Sequence, residues 1–291
     1  RMRELLLDQH LAIASAHAMI FHHLSNQCNN PMKTHIHLPR QWEPRRSNLM
    51  AMKEDKFQQC YAYLAARCCN LDMTKDHFSG DEYEDADGNF ICHRFDVTHF
   101  RGVKSLKQVH DALVFFMLNM EIRISETLGD ITVREDYDVI EDDAVISNHR
   151  LVSNHDTVIS EVNTATFTQY FDGPNQFETS PCAVLTSDNI DDDDLHPYNS
   201  LEFVRRDVSA AVVLTEEQRP QEPGDSSVFG SQVESEEEDE VIVVMRRAVF
   251  MKIHNPSFDV PENALLDMNE RLHQWPKVMM QTIREFIDAQ S

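Results

Sequence analysis

Residues 241–287, VIVVMRRAVFMKIHNPSFDVPENALLDMNERLHQWPKVMMQTIREFI, run as a long strand pattern, a corner and a long helix pattern, and this pair limits the architectures open to the chain. From Leu265 apolar positions recur at Met268, Leu272, Trp275, Met279 and, past Thr282, Phe286, in alternating steps of three and four. A helix with one such stripe must lie on an apolar surface. The preceding strand offers two: Val241, Val243, Met245, Val249, Met251 and Ile253 on one face, and Ile242, Val244, Ala248 and Phe250 on the other. Cover on both sides is therefore expected. Pro276 has no amide hydrogen and its ring crowds the preceding turn, so the helix is expected to kink or break beside Trp275.

The rest of the chain must supply that cover, and 291 residues with 41% apolar content suffice for one large domain or two smaller ones. The net charge of −24 is unevenly spread: residues 1–70 carry nine Lys/Arg against five Asp/Glu, the remainder 17 against 45. Phosphate binding draws on clustered basic residues, so no nucleic-acid binding is expected of these residues themselves. Six cysteines form no CxxC pair, which points to reduced thiols and an intracellular location, cytoplasmic or nuclear. No apolar run reaches the roughly 18 residues of a membrane span. The chain begins at Arg1 and reads as a fragment.

Along the chain, residues 3–24 place Leu7, Leu11, Ala14, Ala18 and Phe21 on a short seam, either the tail of a dimerising zipper that would give a homodimer or an ordinary amphipathic helix. NNPMKTHIHLPRQWEPRRS, with three prolines, is expected to be irregular, followed by a helix from Leu49 to Cys68. DEYEDADGNF reads as an acidic loop, with Asp87-Gly88 turning into a strand from Phe90 to Phe100. As an EF-hand it fails, because Tyr83 and Arg94 fall on the end-ligand positions. Ser105 and Gln108 have capping-box spacing before a helix carrying Leu106, Val109, Leu113, Phe116, Met117, Met120 and Ile124, stopped by Gly129. Strands follow at 131–135 and 144–153, then a hairpin turn at Asn154 and His155 leads into 157–171. Residues 172–200 read as a long irregular excursion, a lid candidate around a short strand at 183–186. Leu201 to Leu214 forms a strand, and ESEEEDE at 234–240 a solvated linker. The expected division is 1–27, an N-terminal helix; 28–80, an irregular segment and helix; and 81–291, the main domain.

Catalytic chemistry has no foothold in this pattern. Seven glycines make no phosphate loop and there is no GxSxG elbow. His35 and His37 lack spaced partners for a metal set, and His93 and His99 flank Asp96 without a nucleophile nearby. Cys68 and Cys69 read as helix packing with one exposed thiol. No cofactor or metal is expected. The arginine doublets are more pointed: Arg205-Arg206 and Arg246-Arg247 each interrupt an apolar strand, and one side chain of each must face inward. If the two strands pair, the doublets are expected to come close in register. Arg206 or Arg247 is then a candidate to fix a ligand's polar end; the alternative is ion pairing with Asp207, Glu161 or solvent at a sheet margin.

This order of elements, above all the terminal strand and helix, resembles the START-like helix-grip superfamily. The stretches DGNFICHRFDVTHFRGV, ETLGDITVREDYD, LHPYNSLEFVRRDVSAAVVL and VIVVMRRAVFMKIHNPSF are similar to oomycete mating-specific-like proteins and bZIP proteins with a START-like C-terminal half. The resemblance implies an α+β fold, a curved antiparallel sheet gripping a long C-terminal helix, with non-enzymatic binding of a lipid or other hydrophobic small molecule. Candidate lining residues on the predicted cavity face are Met245, Val249 and Met251 from the strand, Leu272, Trp275 and Met279 from the helix, and Phe116 and Met120 from the middle helix, beside Arg206 and Arg247. The rival reading is a filled-core interaction or dimerisation module of a bZIP-type regulator.

Overall fold

The computed structural model describes residues 30–129, 131–136, 139–140, 144–155, 158–217 and 241–290. The Leu7–Phe21 seam, Cys28 and the acidic run 234–240 lie outside them. After the short strand β1 (His37–Leu38), helix α1 (Trp42–Cys68) begins at Trp42 rather than Leu49. Pro44, one of the three prolines expected to keep the segment irregular, sits in its first turn, where a missing amide hydrogen costs nothing.

Strands β2 (His77–Glu84) and β3 (Phe90–Phe100) form a hairpin, so the first four residues of the acidic segment expected as a loop, 81–84, are edge strand. The turn falls at Asp87-Gly88 as expected, with Gly88 at φ 78°. Asp85 accepts from the amides of Asp87 and Asn89 and from the Asn89 side chain, so its carboxylate is spent inside the turn. Helix α2 (Leu106–Leu118) starts on Ser105, whose Oγ accepts from the Gln108 amide at 3.2 Å. The continuous helix expected through Ile124 is broken at Asn119, whose amide and side chain both return to the Phe115 carbonyl, and α3 (Met120–Leu128) runs on to Gly129 at φ 78°.

The remaining strands are β4 (Ile131–Asp136), β5 (Val139–Ile140), β6 (Ala144–His155), β7 (Val158–Phe171), β8 (Cys182–Asn189), β9 (Asp192–Asp193), β10 (Phe203–Glu217) and β11 (Ile242–Ile253). The β6–β7 hairpin is present, with Asn154 and His155 still paired to Ile159 and Val158 rather than turning. The main sheet has nine strands in the order β2-β3-β11-β10-β8-β7-β6-β4, with β5 also on β6. Its pairings are antiparallel except where β8 stops: there the start of β10 closes in parallel onto β7, pairing Phe203–Arg205 with Ile159–Glu161, and the sheet bends.

β8 corrects the expectation of a lid at 172–200. All eight of its residues are buried, and it lies at the sheet's centre between β7 and β10. The acidic run after it is tied to the body through alternate residues, while Asp192 and Asp194 stay exposed. Asp191 accepts from Lys33 and the Ile36 amide, and Asp193 from Arg45 and Asn163.

Both faces of β11 are covered. Val244, Ala248 and Phe250 pack with Leu49, Phe57, Cys60 and Leu64 of α1. The other face meets α2, α3 and two terminal helices, α4 (Glu262–Leu272) and α5 (Trp275–Ala289). The break expected beside Trp275 falls at His273 and Gln274, and Pro276 opens the first turn of α5. The register of β10 against β11 overturns one expectation, however. Arg206 lies opposite Ile253 and Arg247 opposite Val212, so the doublets are six positions apart, about 20 Å along the ladder.

Candidate ligand cavity

Between the bent sheet and its helices lies a cavity of about 100 Å³. Register builds its floor. Val249, Ala210, Ser187 and Thr166 stand side by side across β11, β10, β8 and β7, flanked by the pairs Met251–Val208, Leu151–Val162 and His149–Thr164. Phe116, Met117, Met120 and Ile124 form the roof from α2 and α3, and Trp275, Pro276 and Met279 from α5. The Asn119 break lets both Phe116 of α2 and Met120 of α3 face the same space.

Seven of the ten residues expected from sequence line this cavity: Phe116, Met120, Arg247, Val249, Met251, Trp275 and Met279. Met245 is fully buried in the helix-side core, and Leu272 packs with Met268, Met251 and Ile253 beside the cavity. Arg206 sits behind the wall, its guanidinium 4.9 Å from the Trp275 ring centre and donating to Ser153 Oγ at 3.3 Å. Sequence reasoning did not find the floor residues His149, Leu151, Val162, Thr164, Thr166, Ser187, Val208 and Ala210.

Polar groups around the cavity are mostly answered within the protein. Two nitrogens of Arg247 converge on Asp96 Oδ1 at 2.8 and 2.7 Å, and a third faces Met279 Sδ at 3.5 Å. Asp96 stands directly opposite Arg247 on β3, a partner that strand alternation within β11 does not reveal. Arg205 takes Asp207, as that reading allowed, and Arg246 takes Glu178. His149 is 2% exposed; burial, with the Arg134 charge acting in the same direction, pushes its imidazole down to about 3, so it is neutral. Its Nε2 meets Thr164 Oγ1 at 2.9 Å, while its Nδ1 and the hydroxyl of Thr166 have no hydrogen-bond partner.

The other sequence candidates lie elsewhere. His93 packs edge-on against Phe250 and Tyr83, and His99 pairs with Asp76, so neither reaches Asp96. His35 and His37 face Asp191, Asp192 and Asp194 at the rim of the β1–β9 pair. Cys68 is buried and Cys69 exposed. Glu82, Cys92 and His273 bring ligand atoms within 4.8 Å of one another, but Arg94 stands among them, 3.5 Å from Glu82 and 2.5 Å from the His273 ring. A fixed positive charge occupies the place a cation would take. Among the described residues no helix is long and apolar enough to cross a membrane.

No protein-family model and no curated protein sequence matches the chain. Among solved structures, human StAR-related lipid transfer protein 5 matches at 10% identity and a TM-score of 0.40, over 83% of this chain and 99% of that one. Human STARD10 matches at 8% and 0.38, over 79% and 78%, and the human StarD13 (DLC2) lipid transfer and protein localization domain at 8% and 0.35, over 72% and 89%. The closer likeness to the bZIP-associated oomycete group finds no support among these matches. By its own strand order, curvature and helix placement the chain has a helix-grip fold, an antiparallel sheet closed over its C-terminal helix.

Proposed function

We propose that this protein binds a lipid or other hydrophobic small molecule between its sheet and the α5 lid, without catalysing a reaction on it. One observation carries the reading: the space under the last helix is walled by Phe116, Met120, Ile124, Leu151, Val162 and Met279, while the charges of Arg247 and Asp96 at its edge cancel each other. Apolar burial drives binding in such a site, at about 25 cal/mol per Å² removed from water. Ligand pockets typically measure roughly 300–1,000 Å³. At about 100 Å³ the cavity is the closed form, and cargo of lipid size enters only when the lid moves outward. The break at His273–Gln274 is where that movement costs least, since no continuous helix has to bend.

Native mass spectrometry tests this directly. Purified protein incubated with a mixed lipid extract is expected to retain one small molecule, and Ala210→Phe, which fills the floor, to retain none. A bare mass under all conditions, or retention unaffected by Ala210→Phe, would sink the reading. The small volume favours a second reading, an interaction module with a nearly filled core serving a bZIP-type regulator in the cytoplasm or nucleus. In that case residues 1–27 pair two copies, and sedimentation of the chain with and without them gives a dimer and a monomer.

A further inference from the structure

Resting on the cavity reading, we propose that the ligand's polar end is a neutral hydroxyl, held at the sheet floor by His149 of β6 and Thr166 of β7. Both side chains line the cavity and both are almost wholly buried, at 2% and 4% exposure. Each has a polar atom with no partner, the imidazole Nδ1 and the hydroxyl Oγ1. Proteins rarely leave such atoms unpaired, because burial strips them of water and returns nothing. Two on one cavity wall mark a place where something polar belongs.

The geometry suits a single small group. Thr166 lies opposite Ser147 while His149 lies opposite Thr164, so the two are diagonal neighbours on the same face of the β6–β7 ladder. Such neighbours lie about 7–8 Å apart, with their Cβ atoms somewhat closer, a span that one oxygen bridges through two hydrogen bonds. Thr164 Oγ1 already occupies Nε2. If Nε2 donates there, Nδ1 is an acceptor; if Thr164 donates, Nδ1 carries the proton. A hydroxyl, able both to donate and to accept, satisfies either tautomer and Thr166 as well.

Charge selects against the alternatives. The imidazole is neutral, Arg247 is already paired with Asp96, and Arg134 is engaged by Glu121 and the Met117 carbonyl. A phosphate or carboxylate brought to this floor meets no unanswered cation and would lose its hydration. The ligand class is therefore a long-chain or ring-bearing alcohol rather than an anionic lipid.

The test uses octan-1-ol, n-nonane and octanoate as matched probes, with dissociation constants measured at pH 7 for the full chain and for Thr166→Val and His149→Phe. Octanol is expected to lose about tenfold in affinity in each variant, one hydrogen bond's worth, while nonane is held as well as before. Octanoate is expected to bind more weakly than octanol by tenfold or more. Should His149→Phe misfold, the ¹⁵N resonance of His149 Nδ1 in the unaltered protein gives the same information, moving with octanol and staying still with nonane. Equal losses for octanol and nonane, octanoate matching octanol, or a motionless Nδ1 resonance would overturn the hydroxyl site while leaving the cavity reading intact. Binding of none of the three would overturn both.

Discussion

An arginine inside a sheet is tolerated only when its charge is answered, and at Arg247 the answer comes from directly across the ladder. Asp96 and Arg247 are register partners, both nearly solvent-free, with Met279 closing over them. Removing one partner strands the other. Arg247→Ala is expected to destabilise the fold by about 3–5 kcal/mol in urea denaturation, whereas Arg247→Met combined with Asp96→Leu recovers most of that loss. A single variant costing less than about 1 kcal/mol would show that water already reaches the pair. The same ion pair explains why inward arginines were visible in the sequence and their role was not. Period-two alternation says that one of each doublet faces in, but the partner carboxylate lies 151 positions away on β3.

At the scale of elements, the terminal strand and helices are the wall and lid of the proposed site, and the chain breaks where α4 ends. Arg94 of β3 holds that break, donating to the His273 carbonyl at 3.2 Å, and Arg271 ties the last turn of α4 to the Leu128 carbonyl of α3 at 2.7 Å. Arg94→Ala is expected to speed amide hydrogen exchange across residues 270–277 and leave the strands protected. Exchange rising evenly through the chain would mean that the lid has no local hinge. These features were legible because their causes are local: the apolar stripe, Pro276, the Ser105 cap, Gly129 and the Asp87-Gly88 turn each act within one or two turns of chain. β8 was obscured by the prolines and aspartates around it. Its Asp188 looks solvent-bound in sequence, yet it takes Lys56 of α1 at 2.5 Å and Ser209 of β10 at 2.7 Å. The roof of the cavity was likewise legible from helical stripes, and the floor was not. TATFT offers Thr164 and Thr166 on one face and Ala165 and Phe167 on the other, and only the packing of α1 against the latter decides which face looks into the cavity.

For the whole molecule, the bent sheet is held between two unlike layers, the cavity helices on one face and α1 on the other. The α1 side is apolar at its centre and ionic at its end, where Arg45 meets Asp193 at 2.6 and 3.0 Å and Asn148 at 2.6 Å. Burial alone would raise the Asp193 carboxyl, but the hydrogen bonds from Arg45 and Asn163 outweigh it and hold it at about 2; His254 and Arg205 do the same for Asp207. These carboxylates stabilise the fold above their ordinary pKa of 3.8, and the benefit is lost as pH falls from there through about 2. His149 acts earlier. Its folded value of about 3 lies below the ordinary 6.5, so between those values the unfolded chain gains a proton that the fold refuses. His149 alone is expected to cost up to about 1.4 kcal/mol of stability per unit below pH 6.5; burial lowers His93 and His110 as well, so His149→Phe makes that limb shallower while the steeper loss below pH 4 remains. Urea midpoints across pH 3–8 check both. Trp275 adds a practical consequence. The chain has two tryptophans, and Trp42 stands 44% exposed on α1, while Trp275 lies between the Arg206 guanidinium and the cavity on the first turn of the lid. Its indole emission is thus expected to report occupancy of the proposed site without a label, separable from that of Trp42 by quenching with iodide, and it would put loading within reach of a stopped-flow fluorimeter.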